Sequence, residues 1–213
     1  MKFVSRKNQV TLENGEVVKR YCSTNALVRE ADALKSLAYA GLAVPRLIST
    51  NQNVLKMEYV PGETYLEHVD LMTFEKAHAL TRWLTHFQRL TGFVKADVNL
   101  RNFIWTGTTC VGLDFEDSPL RGELELCFGK VLAFAVTYTP AFTPAKARCA
   151  GLLLQSFLVS GAKPAAIRNA YSLELRAMNL RRKNVLVDIE RAISLFDQTL
   201  ERTVDNRAEG GVL

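Results

Sequence analysis

The sequence predicts an α+β fold, in which a small antiparallel β piece carrying one helix precedes a mostly helical piece. Three observations predict it. Short extended runs dominate residues 1–60, interrupted by a single stretch of helical period. Pro61-Gly62 then breaks the chain. From Thr73 onward, apolar residues recur every three to four positions through most of the remainder.

The elements follow in order. Residues 3–7 and 9–12 read as extended, and Glu13-Asn14-Gly15 as a tight turn, since Asn and Gly tolerate positive φ. The return strand covers 16–21. A helix spans 24–40, capped by Thr24 or Asn25; Leu27, Ala31, Leu34 and Ala38 form its buried stripe and Gly41 closes it. Two strands, 44–49 and 53–59, flank the polar turn Thr50-Asn51-Gln52. After Pro61-Gly62, Phe74, Ala77, Leu80, Leu84 and Phe87 stripe a second helix that ends at Gly92. Residues 93–98 read as extended, and 102–105 with 110–115 as a hairpin. Helices then fill roughly 124–137, 144–160, 164–180 and 184–203. The expected division is 1–60, 61–205 and a disordered tail at 206–213.

Composition narrows the function classes. With 48% hydrophobic and 23% charged residues over 213 positions, a disordered, collagen-like or coiled-coil chain is excluded. The net charge of +5 is uneven: residues 61–141 carry net −3 between flanks of net +4 each. An acidic island in a basic chain suggests a place for a cation. Cys22, Cys110, Cys127 and Cys149 form no Cys-x-x-Cys, and His68, His78 and His86 complete no zinc spacing. Reduced, mostly buried thiols and a cytoplasmic location are expected. No signal peptide is visible. The longest apolar runs, 131–136 and 151–159, fall short of the roughly 20 residues that cross a bilayer, so membrane insertion is not expected.

Three clusters carry chemistry. Lys19 lies on a strand and Glu30 on the next helix; such a pair fixes an ammonium where it can grip phosphate oxygens, although an edge strand also favours lysine for itself. Lys95-Ala96-Asp97-Val98-Asn99-Leu100-Arg101-Asn102 sets an aspartate five residues before an asparagine. The first can accept a proton from a hydroxyl and the second offers Mg²⁺ a neutral oxygen, while both are also natural turn residues. Asp114-Phe115-Glu116-Asp117 packs three carboxylates into four residues, which calls for solvent or a cation.

In this order the clusters resemble the protein-kinase-like fold, in the branch of aminoglycoside phosphotransferases and choline kinases. The resemblance covers roughly residues 10–140 and includes Arg29-Glu30-Ala31-Asp32-Ala33-Leu34 and the stretch from Met57 to Gly62. It implies a minimal bilobal protein-kinase-like fold, with a small antiparallel β N-lobe carrying one helix and a mostly helical C-lobe. It implies ATP and Mg as cofactors, with transfer to a hydroxyl of a small molecule or a protein. Lys19, held by Glu30, would contact the α and β phosphates. Met57 would back the adenine, and the backbones of Glu58 and Val60 would bond its edge. Asp97 would position or deprotonate the acceptor, and Asn102 and Asp114 would hold Mg²⁺.

The sequence departs from that pattern in four ways. The glycine-rich phosphate loop is missing, Gly15 being the one early glycine. Lys95 stands where the family has His or Tyr, and its ammonium is expected either to reach the γ-phosphate or to pair with Asp97. Glu116 replaces the glycine after Asp-Phe, and nine residues between Asp117 and Cys127 leave little segment for docking a peptide. A pseudokinase that serves as a nucleotide- or partner-binding scaffold is the first alternative. A second is association with RNA through Arg176, Arg181, Arg182 and Lys183, against which no aromatic residue is interleaved for base stacking.

Overall fold

The structure is a computed structural model that describes residues 2–3, 8–181 and 186–208. Strands β1 (Lys2–Phe3), β2 (Gln9–Glu13), β3 (Glu16–Arg20), β4 (Leu47–Asn51) and β5 (Val54–Glu58) form an antiparallel sheet in the order β1-β2-β3-β5-β4. The β2–β3 turn is as the sequence requires: Asn14 and Gly15 sit at φ 53° and 81°, and Glu13 pairs with Glu16. Helix α1 (Thr24–Tyr39) packs Leu27, Ala31, Leu34 and Leu37 inward and ends at Gly41, φ 79°. Its N-cap is Ser23 rather than Thr24 or Asn25, which already lie in the first turn.

Strand β4 starts at Leu47, not at residue 44. Pro45 has no N–H to donate to a ladder, and the backbone before it is drawn to the helical part of the molecule. There the Ala43 carbonyl accepts from Gly112 N at 3.1 Å and from Trp83 Nε1 at 2.7 Å. Gly112 tolerates this approach because a Cβ would lie 2.1 Å from the Trp83 ring.

A second, three-stranded antiparallel sheet joins β6 (Glu63–Thr64), β7 (Phe103–Trp105) and β8 (Cys110–Gly112). The sequence reading lacked β6. Gly62 leads into it at φ 145°, where a Cβ would lie 2.4 Å from the Trp105 carbonyl oxygen. The expected 102–105 and 110–115 hairpin is shorter. Asn102 ends a 3-10 turn, Leu100–Asn102, and the second strand stops before Asp114, whose φ of 60° is incompatible with an extended chain. Residues 93–98 form no strand beyond a single bridge, Val94 to Leu120.

Helix α2 (Phe74–Thr91) is capped by the Thr73 hydroxyl, which accepts from Lys76 N, and closed by Gly92 at φ 72°. Helices α3 (Leu124–Thr137), α4 (Pro144–Val159), α5 (Pro164–Arg181) and α6 (Ile189–Ala208) complete the chain. Gly129 lets α3 and α5 touch: a Cβ there would meet Tyr171 N at 2.4 Å. The rings of Phe128 and Phe157 stack at 3.9 Å in the core between α3 and α4. Helix α6 runs past residue 205, where the tail was expected to begin; residues 209–213 lie outside the described residues. No helix among the described residues is long and apolar enough to cross a membrane.

Candidate nucleotide and metal site

The site is built around one buried ammonium. Lys19 lies mid-strand in β3 and projects toward α1, where Glu30 is 1% exposed. Lys19 Nζ reaches Glu30 Oε2 at 2.7 Å, Asp114 Oδ1 at 2.8 Å and Glu116 Oε2 at 3.3 Å. Burial alone disfavours the charge on Lys19, but Glu30 and Asp114 outweigh it and raise the pKa above the ordinary lysine range. Tyr21, two residues on and just past the end of β3, donates its hydroxyl to Glu30. Burial and the neighbouring Glu30 raise its phenol. Glu30 also accepts from Phe115 N at 3.3 Å, so the helix carboxylate grips the lysine and the loop that follows β8.

That loop is anchored by its aromatic residue. Phe115 is buried against Trp83 and Phe87, with ring centroids 6.3 and 6.4 Å away. Asp114 turns outward from this anchor through its positive φ, which aspartate tolerates better than most residues. Lys95 is placed differently from the expectation. Its ammonium is buried and donates to the Asp114 carbonyl at 2.5 Å, over the Phe115 ring at 4.5 Å. It therefore props the Asp114-Phe115 backbone from below instead of projecting toward a γ-phosphate. Burial pushes its pKa down, against the pull of Asp114 and Asp97.

Asp97 and Asn102 share one compact turn. Asp97 Oδ1 accepts from Asn99 N at 3.0 Å, and Asn102 Nδ2 lies 3.5 Å from the Asp97 carbonyl. The Asn102 carbonyl accepts from Leu113 N at 2.8 Å, which ties this turn to the residue before Asp114. Met57, Glu58 and Val60 belong to another wall. Met57 is buried in β5 opposite Val17 and Leu47. The Glu58 N–H donates to the Arg46 carbonyl at 3.0 Å, so a contact from Glu58 to an adenine edge must come from its carbonyl.

Carboxylate oxygens of Glu30, Asp114 and Glu116 lie within 4.8 Å of one another. Carboxylates are hard oxygen donors of the kind Mg²⁺ takes, and the Lys19 ammonium stands within 3.3 Å of all three. Glu116, expected both as one of three clustered carboxylates and as a departure from the glycine after Asp-Phe, is drawn into the Lys19 cluster. Asn8 donates to its carboxylate, and Arg29 Nε donates to its carbonyl at 2.8 Å. The signal for Tyr21 was present in the period of two from Lys19, and Arg29 stands in the segment that carries the resemblance; none marked Asn8, whose partner is 108 residues away. In the basic cluster, Arg181 pairs with Glu174 at 2.5 Å, and Arg182 and Lys183 lie outside the described residues.

A two-lobed architecture with a strand lysine, a helix glutamate and an Asp-Phe loop joined in one ion cluster defines a protein-kinase-like protein. A model of the RIO domain matches residues 2–118, and the chain belongs to the RIO domain family. Comparison with curated proteins finds no match. Among solved structures, an ADP-bound aminoglycoside phosphotransferase is similar at 15% identity and TM-score 0.56, over 94% of this chain and 91% of that one. A choline/ethanolamine kinase family protein from Mesorhizobium loti matches at 14% and 0.56, over 96% and 86%. An ethanolamine kinase from Plasmodium vivax matches at 10% and 0.58, over 96% and 81%. At these identities the shared property is the fold.

Proposed function

We propose that this protein is an ATP- and Mg-dependent phosphotransferase acting on a hydroxyl acceptor. The observation that carries this reading is the meeting of Lys19 with Glu30 and Asp114, three residues from separate parts of the chain, at 2.7 and 2.8 Å. Lys19 holds the nucleotide phosphates and Glu30 holds Lys19. Met57 and the backbones of Glu58 and Val60 form the adenine side. Asn102 and Asp114, joined by Glu116, would hold Mg²⁺, which when bound neutralises phosphate charge. Asp97 accepts the proton of the acceptor hydroxyl as that oxygen bonds the γ-phosphorus. The β–γ bridging bond breaks and ADP departs with its electron pair. Lys95 fixes the backbone of Asp114 and so acts through it. Most of the rate enhancement then comes from positioning and charge neutralisation.

A second reading has its own observation. The Glu116 carboxylate 3.3 Å from Lys19 gives that ammonium a third anionic partner where a phosphate must come. A scaffold that binds without transfer would tolerate this. Thermal unfolding with Mg²⁺, with ATP and with both, for wild type and Asp114→Asn, tests nucleotide binding. A ligand at 100 times its dissociation constant adds about 2.7 kcal/mol. A shift that needs both components and disappears in the variant is expected; no shift with any nucleotide overturns the proposal. A metal-independent shift, with turnover indifferent to Asp97→Asn, selects the scaffold.

A further inference from the structure

Basic side chains gather on the acceptor side of the site. Asn99, two residues after Asp97, accepts the Tyr138 hydroxyl at 2.7 Å, so the loop between α3 and α4, residues 138–143, is bound directly to the turn that carries Asp97. That loop contains no charged residue of its own, and cations surround it. The Arg101 guanidinium lies over the Tyr138 ring at 6.0 Å and is exposed. Lys146 is buried and donates to the Tyr138 carbonyl at 2.6 Å and also to that of Pro140. At the far end, Arg191 lies 5.1 Å over Phe142, and both line an open cavity of about 250 Å³ with Ser194, Leu195 and Gln198. Lys130 approaches from α3, its ammonium 3.5 Å from the Ala96 carbonyl. Arg191 also sits in the first turn of α6, where the positive end of the helix dipole is partly offset by Glu190 and by Asp188, which accepts the Arg191 N–H at 3.0 Å.

We propose that the acceptor is an anionic, hydroxyl-bearing small molecule, a phosphate monoester or a hydroxy acid, whose charged group is bound by Arg101 on Tyr138 beside Asp97. This rests on the phosphotransferase reading. A guanidinium over an aromatic ring can present its fork to a carboxylate or phosphate. The same surroundings repel a polycationic aminoglycoside or a quaternary ammonium. Arg101 is the specificity residue, and Lys146 and Arg191 add positive charge near it.

The test is calorimetric titration of glycerol 3-phosphate, L-malate and choline chloride into the protein at low salt, with a non-hydrolysable ATP analogue and Mg²⁺ present to fill the Lys19 site. Wild type, Arg101→Gln and Arg101→Lys are compared. At least one of the two anions is expected to bind, with affinity roughly tenfold weaker in Arg101→Gln and partly restored in Arg101→Lys. Choline is expected not to bind. The nucleotide-dependent thermal shift stays unchanged in both variants, which certifies their folding. Where transfer is measured, Arg101→Gln raises the acceptor KM and leaves kcat nearly constant. Anion binding indifferent to Arg101, binding of choline alone, or binding of none of the three overturns the inference. Arg101-dependent anion binding in a protein that shows no nucleotide shift keeps the anion site and removes the phosphotransferase reading; a nucleotide shift without anion binding does the reverse.

Discussion

Lys19 stands among three carboxylates, one of them Glu30 at 1% exposure, and this fixes what substitutions there must do. Removing the ammonium leaves Glu30 buried with its principal counter-charge gone. Lys19→Met is expected to destabilise by about 3–5 kcal/mol, and the double variant Lys19→Met/Glu30→Gln by less than the single one. Urea unfolding of the three proteins measures this; a double variant weaker than Lys19→Met would refute it. Tyr21→Phe removes a neutral donor to a charged acceptor and should cost about 1.5–3 kcal/mol in the same assay. The four thiols give an independent check on burial. Cys110, Cys127 and Cys149 are buried and Cys22 is exposed. Burial pushes Cys127 and Cys149 up to about 12 and raises Cys110 as well. At pH 8 one thiol should react promptly with a disulfide reagent, and the other three only on unfolding. Two or more fast thiols in the native protein would contradict the packing.

At the scale of elements, helix ends are where single substitutions separate local from tertiary causes. Thr73→Ala removes a cap and should cost about 1 kcal/mol. Gly129→Ala adds a methyl 2.4 Å from the Tyr171 amide nitrogen, so α3 and α5 must part, at about 1–3 kcal/mol. Melting temperatures of the two variants should fall in that order, by roughly 2–4 °C per kcal/mol; equal shifts would mean that the α3–α5 contact yields easily. The same contrast explains what was legible in the sequence. Gly41 and Gly92 announce helix ends because the left-handed terminal residue is a local requirement. The Asn14-Gly15 turn is local in the same sense. Strand β6 has two residues, too few to show a period, and exists because β7 is there to pair with it. Residues 93–98 carry extended character without a neighbouring strand, so they form one bridge. Lys95, two residues before Asp97, suggests an ammonium that reaches the γ-phosphate or pairs with Asp97. Its actual partner, the Asp114 carbonyl, is 19 positions away and follows from the packing of Phe115.

For the molecule as a whole, the sheet and the helices are held together by contacts that converge on residues 112–116. Gly112 N reaches Ala43 O, Asp114 meets Lys19, and the Glu116 carbonyl takes Arg29. The aromatic anchor beneath, Phe115 on Trp83 and Phe87, packs this loop against α2. The interior therefore holds many weak acids in their protonated state, and this sets a pH limit. Cys127 and Cys149 ionise near 9.0 when the chain is unfolded and near 12 when folded. Between those values the folded protein keeps protons that the unfolded chain releases, so stability falls as pH rises, by about 1.4 kcal/mol per unit for each thiol. Cys110 and the tyrosines Tyr21, Tyr65 and Tyr171, all raised by burial, add losses of the same sign. Lys19, raised by its carboxylates, contributes fully below its unfolded value of 10.5 and loses that contribution only beyond it. Lys95, lowered by burial, runs the other way: the penalty for burying it fades as the unfolded chain also loses that proton. With more groups on the first side than on the second, urea midpoints should hold level from pH 7 to about 9 and fall steeply by pH 11. A midpoint that stays flat across pH 9–11 would show that the thiols and phenols are not sealed from solvent as this packing requires.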